Sequence, residues 1–434
     1  GPAEAQPLID MIRSSLAHIL INRDGPSLQP GSRSYERAWI RDGAMISEAL
    51  LRTDHAPVAR EFLDWYSGYL FSNGKVPCCV DHRGADSVPE NDSSGEYLWL
   101  VDRLDRYTQD RAALERVWPK VTLAFGYLDQ LRRSERTPEV LASADRAFYG
   151  MMPASISHEG YFAKPMHSYW DDFWTLAGLR SAVRLARERD DGPALERADA
   201  ALQEFRTDLA ASLAATIEQH KIDYLPGCAE LGDFDATSST VALTPAGESN
   251  RLPQAVLQRT FEKYWENFVA RRDGVKPWKD YTPYETRVIG SFVRLGWRDR
   301  AQELVRFFMN DRRPAAWNQW AEVVGRDPRE PRFVGDMPHG WVASDFVRAA
   351  RELFAYERET DDALVLAAGI DPRWLDGEGI AVAGLQTVYG PLEYSLRREG
   401  PGSLHLRIGS GAHPPGGVVI TVGTVEYRYD RFPV

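Results

Sequence analysis

Apolar residues recur along most of this chain at the spacing of one helical face. Leu8, Ile9, Ile12, Leu16, Ile19 and Leu20 mark such a stripe within residues 5–21, since positions three and four apart share a face. Phe62, Leu63, Tyr66 and Leu70 mark another over 57–71, and Leu114, Val117, Val121, Phe125 and Leu128 a third over 111–132. Helices are also predicted after Asp42, from Glu96 to Tyr107, and over 172–188, 192–218, 237–243, 253–270, 284–296, 298–310 and 341–357.

These helices alternate in character. Those starting near 42, 95, 172, 237, 284 and 341 are short or apolar nearly all round, as a helix covered on every side must be. The helices between them carry Arg, Glu and Asp along one face. Six inner and six outer helices predict an (α/α)6 barrel, a toroid of six hairpins, as an all-α major domain over residues 3–365. From 371 the period changes to two: Leu404, Leu406 and Ile408 alternate with His405 and Arg407, the pattern of a strand. Pro372 and the Asp376-Gly377 turn open this stretch, and 371–434 is predicted to be a small antiparallel, sandwich-like β domain.

Composition narrows the function. Lys and Arg number 52 against 63 Asp and Glu, a formal charge of −11, so phosphate backbones and anionic membranes would repel the chain. No apolar run reaches the roughly eighteen residues of a membrane span. Neither a nucleic-acid nor a membrane partner is expected. Cys78 and Cys79 are adjacent and Cys228 leaves the count odd, which argues against a disulfide framework. Gly1-Pro2 reads as the remnant of a protease cleavage, which leaves the compartment open. The 13 Trp residues are an excess that either a large core or a ligand with flat apolar faces would explain.

The chemistry gathers just before the inner helices. There lie Trp39-Ile40-Arg41-Asp42, Glu90-Asn91-Asp92, Trp170-Asp171-Asp172, Asp233-Phe234-Asp235, Tyr281 to Arg287, Trp320-Ala321-Glu322, and Asp336-Met337-Pro338-His339-Gly340-Trp341. In a ring of hairpins these loops open on one side and build one pocket. Carboxylates mixed with aromatic rings suit a neutral, polyhydroxylated ligand, and two acids suffice to split a glycosidic bond. No nucleotide-binding loop is present. The His residues lack metal-ligand spacing, so neither a metal nor another cofactor is expected.

These segments resemble those of a known family. Trp39-Ile40-Arg41-Asp42 resembles the Trp-x-Arg-Asp segment of glycoside hydrolase family 15, the glucoamylase-like group of six-hairpin glycosidases. The resemblance implies that Arg41 and Asp42 bind the terminal sugar. Asn91-Asp92 resembles the family's Asn-Asp-Gly-Pro segment, with Ser93-Ser94 in place of Gly-Pro. Trp170-Asp171-Asp172 resembles its Trp-Glu-Glu, which implies Asp171 as general acid beside a substrate-binding Asp172. Asp235-Ala236-Thr237 resembles the bacterial Asp-Ala-Ser segment, and Trp320-Ala321-Glu322 the segment that carries the general base, here Glu322. The tail resembles the C-terminal β domain of α-L-rhamnosidases.

The expected activity is therefore glycoside hydrolysis, exo-acting and inverting, on a terminal neutral sugar of an oligosaccharide or glycoside. The catalytic candidates are Asp171 and Glu322, with Glu90 a competitor for the acid because Asp171 is one methylene shorter than the family's Glu. Trp39, Arg41, Asp42, Asp92, Trp170 and Asp172 are candidate sugar-binding residues. So are Asp235, Trp320, Asp336, His339 and Trp341, and two or three of the Trp side chains are expected at the pocket. Inversion places the acid and base ~6.5–9.5 Å apart, and retention nearer ~5 Å. Ordinary readings stand beside these: Asp42 and Asp171 begin helices, where Asp is favoured as a cap or first-turn acid. A phosphorylase or polysaccharide lyase on the same toroid, or a non-catalytic glycan-binding protein, are the alternatives. The sugar and the oligomeric state stay open.

Overall fold

The computed structural model describes residues 2–158, 160–327, 335–409, 411–422 and 425–429. Its helices are α1 (Gln6–Ile21), α2 (Ile40–Leu51), α3 (Ala56–Ser67), α4 (Ser93–Thr108), α5 (Arg111–Ser134), the short α6 (Pro138–Ala142) and α7 (Tyr169–Glu188). The series continues with α8 (Gly192–His220), α9 (Ala236–Leu243), α10 (Gln254–Arg272), α11 (Arg287–Arg294), α12 (Arg298–Asn310) and α13 (Gly340–Phe354). Inner helices α2, α4, α7, α9, α11 and α13 each pack on the next, and α13 packs back on α2. The ring is closed. Outer helices α3, α5, α8, α10 and α12 each pair with the inner helix before them, while α1 pairs with α13 to complete the sixth hairpin. The fold is thus the expected α/α toroid. No helix among the described residues is long and apolar enough to cross a membrane.

Local chemistry sets the helix starts. Asp110, Asp191 and Asp235 cap α5, α8 and α9 by accepting backbone N–H bonds from Ala113, Ala194 and Ser238, satisfying donors that a helix start leaves free. Gln109 and Lys221 end α4 and α8 in the left-handed conformation. Helices α4 and α7 approach each other closely. A Cβ on Gly95 would lie 2.2 Å from the Trp174 carbonyl, and one on Gly178 would lie 2.6 Å from the Gly95 Cα. Only glycine permits this approach, which brings the N-terminal halves of two site-bearing helices together.

Short strands brace the rim. β1 (Ala38–Trp39) pairs with β2 (Cys79–Asp81), and β2 pairs with β3 (Gly84–Ala85). β4 (Asp280–Tyr281) pairs with β5 (Val324–Gly325). The C-terminal strands are β6 (Ala355–Arg358), β7 (Ala363–Leu366), β8 (Ile380–Thr387), β9 (Gly390–Gly400), β10 (Ser403–Ile408), β11 (Val418–Val422) and β12 (Val425–Tyr429). They form a three-stranded sheet in the order β10-β9-β8 and a four-stranded sheet in the order β12-β11-β7-β6. Every pairing is antiparallel except β7 with β11.

The strands begin earlier than the change of period at 371 suggests. Helix α13 stops at Phe354, and residues 355–357, expected to be helical, pair with β7 instead, as does Arg358. Burial explains the difference: Ala355, Tyr356 and Glu357 are all covered, so no polar alternation marks the strand. Glu357 is covered as an ion pair with Arg351, 2.7 Å away.

Gly95→Val is expected to destabilise the protein by about 2–3 kcal/mol through forced separation of α4 and α7. Urea unfolding measures this, and a loss under ~0.5 kcal/mol would contradict the close approach.

Candidate active site

The N-terminal ends of α2, α9, α11 and α13, with the loops before them, line a pocket of about 220 Å3. Its carboxylates are Asp42 and Glu322, and its rings include Tyr35, Trp39, Tyr284 and Trp341. His158, Arg287, His339 and Arg41 also line it. Trp39 is held in place by β1, and the Tyr35 ring meets it edge-on at 5.7 Å. Behind Trp39 sit the buried free thiols of Cys78 and Cys79, with Sγ atoms 3.3 Å apart. With Asp86 these form the group of metal-type side chains found among the described residues.

Arg41 is the centre of the electrostatics. Its guanidinium lies 2.5 Å from Glu90 and 3.1 Å from Asp92, and its Nε is 3.9 Å from Asp42. It also stacks over the Trp341 ring at 5.2 Å. Asp92 accepts a second bond, 2.7 Å long, from the Trp170 indole N–H. One turn further along α4 lies Glu96, fully buried, with no hydrogen-bond partner for either oxygen. Burial, then the Asp92 charge, push its carboxyl well above the usual range despite Arg41.

Glu322 accepts hydrogen bonds from the Tyr35 hydroxyl at 2.5 Å and the Tyr284 hydroxyl at 3.1 Å. Burial raises its carboxyl above the ordinary value, against the pull of those two hydroxyls. Two phenols therefore fix both oxygens of the acid at the pocket wall. Arg287 stacks over Trp170, Tyr284 and Trp341 at 5.2–5.3 Å and pairs with Asp345 at 2.9 Å.

The remaining candidates separate by what holds them. Asp171 is fully buried at the start of α7 and does not line the pocket. The Ser155 and Ser157 hydroxyls donate to it at 2.7 and 2.8 Å. Burial and the nearby Asp92 push its carboxyl well above the usual range. Asp172 accepts the Met152 N–H at 2.9 Å, and burial raises its carboxyl to about 7. Glu90 is buried against Arg41. Asp235 is the cap of α9, and despite burial His158, Ser238 and Thr237 hold its carboxyl below the usual range.

Three candidates have structural partners that account for them. Asp336 accepts the backbone N–H groups of Arg33, Ser34 and Tyr35 at 2.7–3.0 Å; it lies outside the pocket wall and secures the segment that carries Tyr35. Trp320 is buried, donates to the Phe308 carbonyl and packs on Phe346. Trp170 is buried beneath the stacked ring of His158, 4.9 Å away. His339 does reach the pocket, and its Nδ1 caps α13 by accepting the Val342 N–H. Burial lowers the imidazole to about 3, so it is neutral at working pH.

Sequence reasoning passed over Tyr35, Tyr284, Arg287 and His158 as individual candidates. The first three lie in or beside rim segments that the ring architecture already marks. His158 lies in a long loop ahead of α7, and nothing in its sequence neighbourhood distinguishes it.

No family model matches the sequence, and no curated protein matches it. Solved structures similar to this chain include a glycosidase in complex with glucose, at 17% identity and a TM-score of 0.58, covering 81% of this chain and 98% of that one. A GH78 family rhamnosidase of Bacillus sp. GL1 is similar at 13% identity and a TM-score of 0.65, covering 93% of this chain and 40% of that one. An alpha-L-rhamnosidase from Dictyoglumus thermophilum is similar at 11% identity and a TM-score of 0.61, covering 95% and 44%. The chain thus spans less than half the length of these two rhamnosidases. At such identities the likeness is one of fold.

The buried state of Asp172 makes a pH prediction. Its folded value near 7 lies above the ordinary 3.8, so its proton stabilises the fold fully below about 4, and that contribution is lost as pH rises through about 7. Urea unfolding at pH 5 and pH 8 should show Asp172→Asn losing much of the decline that the unmodified protein suffers between them. An unchanged decline would contradict the buried, protonated state.

Proposed function

We propose that the protein is a glycoside hydrolase, exo-acting and inverting, that removes a terminal neutral sugar from an oligosaccharide or glycoside. The observation that carries the reading is the pocket itself, where Asp42 and Glu322 face a space walled by Trp39, Trp341, Tyr35 and Tyr284. At about 220 Å3 it is smaller than the roughly 300–1,000 Å3 of drug-sized ligand sites, which suits one sugar ring. Aromatic faces take the apolar C–H side of the ring, and Asp42 accepts from its hydroxyls.

In this reading Glu322 is the general base. Tyr35 and Tyr284 aim its carboxylate, which takes a proton from the water attacking the anomeric carbon. The acid is Asp171, whose carboxyl burial and the nearby Asp92 push well above the usual range, whereas Glu90 is engaged by the Arg41 guanidinium. For Asp171 to reach a glycosidic oxygen, the segment bearing Ser155, Ser157 and His158 has to give way. Arg41 and Asp92 then position the terminal sugar and the Trp170 floor.

A second reading, a sugar-binding protein without turnover, draws on the capping of Asp171 by Ser155 and Ser157. Kinetics on a panel of glycosides separates the two. Glu322→Gln is expected to lower kcat by at least about a thousandfold with little change in KM. A loss under tenfold would remove Glu322 from the base role, and sugar binding by the unmodified protein without any turnover would favour the second reading.

A further inference from the structure

At the opposite end of the inner helices, where α2, α4 and α7 finish, lies a second cavity of about 310 Å3. Its walls carry an unusual concentration of guanidinium groups. Arg103 and Arg106 come from α4, Arg180, Arg184 and Arg187 from α7, and Arg52 follows α2. Positively charged residues are favoured at helix C-termini, but most such groups are balanced by acids. Here only some are. Arg52 and Arg103 share Glu48 at 2.9 and 3.1 Å, and Arg184 is spent on Asp102 and Asp105.

The balance leaves cations over. Among the described residues, Arg106, Arg180 and Arg187 have no ion pair with a carboxylate; Arg180 donates to the Ala246 carbonyl, and Arg106 lies over the Tyr389 ring at 5.7 Å. The Nε atoms of Arg52 and Arg103 are buried without a hydrogen-bond partner, and both residues are more than nine-tenths buried. On the acidic side, Glu357 and Glu359 are taken by Arg351 and Arg294. Asp362 is the lining acid without an ion pair among the described residues.

We infer that this cavity binds a phosphate group, free or carried on a small sugar. Guanidinium groups lining one cavity from two helices offer it many N–H donors, a chemistry that matches a compact dianion with several oxygens. Binding neutralises the guanidinium groups left over on α4 and α7. The inference is independent of the chemistry at the other mouth.

The test uses the full chain at low ionic strength, titrated calorimetrically with inorganic phosphate and separately with glucose 6-phosphate. Saturable binding is expected, weakened at least tenfold in Arg106→Gln/Arg180→Gln and in Arg187→Gln, with both variants retaining the unmodified circular dichroism spectrum. These side chains are partly exposed and outside the ion-pair network, so the substitutions leave the core intact. Equal affinity for the two ligands assigns free phosphate, and tighter glucose 6-phosphate assigns a phosphosugar. Absence of heat with both ligands, or binding unaltered in both variants, would overturn the inference.

Discussion

Everything at the upper mouth of the ring depends on one buried cation among too many acids. Arg41 faces Asp42, Glu90 and Asp92 directly, with Glu96 one turn beneath. A single guanidinium cannot neutralise four carboxylates in a place from which water is excluded. The crowding pushes the carboxyls of Glu96 and of Asp171, beside Asp92, well above the usual range. The same crowding fixes geometry, because Asp92 ties Arg41 on α2 to the Trp170 indole on α7. Trp170 in turn carries the rings and guanidinium stacked on it, His158 and Arg287.

Below this layer a chain of buried ion pairs links the inner helices. Arg287 pairs with Asp345, Asp345 with Arg348, and Arg348 with Glu48, which also holds Arg52 and Arg103. Glu352 joins Arg52 to Arg294. Pairs so deeply buried add little net stability over an apolar core, yet breaking one leaves a charge stranded. Their consequence is register: each pair links particular turns of neighbouring inner helices, so the pocket at one mouth and the arginine-lined cavity at the other are held on the same frame.

The ring was legible in the sequence because its helices differ so sharply in burial. Inner helices are covered on every side and outer ones only on one, and hydrophobic periodicity records that contrast directly. The rim loops were legible for the same reason, since ring topology alone brings Arg41, Asp42 and Glu322 together. What escaped was set by tertiary partners. Glu357 reads as a helical residue until Arg351 is seen beside it, and the strand containing it has no alternating pattern. No motif records the three backbone N–H groups gathered around Asp336. The Trp excess resolved in the same way, with Trp39 and Trp341 at the pocket, Trp170 under its floor and Trp320 in the core.

The central claim is that Glu322, fixed by Tyr35 and Tyr284, activates water against a sugar held at this mouth. Proton NMR of the first product released from a panel of glycosides tests it most directly. The account predicts a free monosaccharide whose anomeric configuration is opposite to that of the bond cleaved. Release of the same anomer, or release of nothing across the panel, would contradict it.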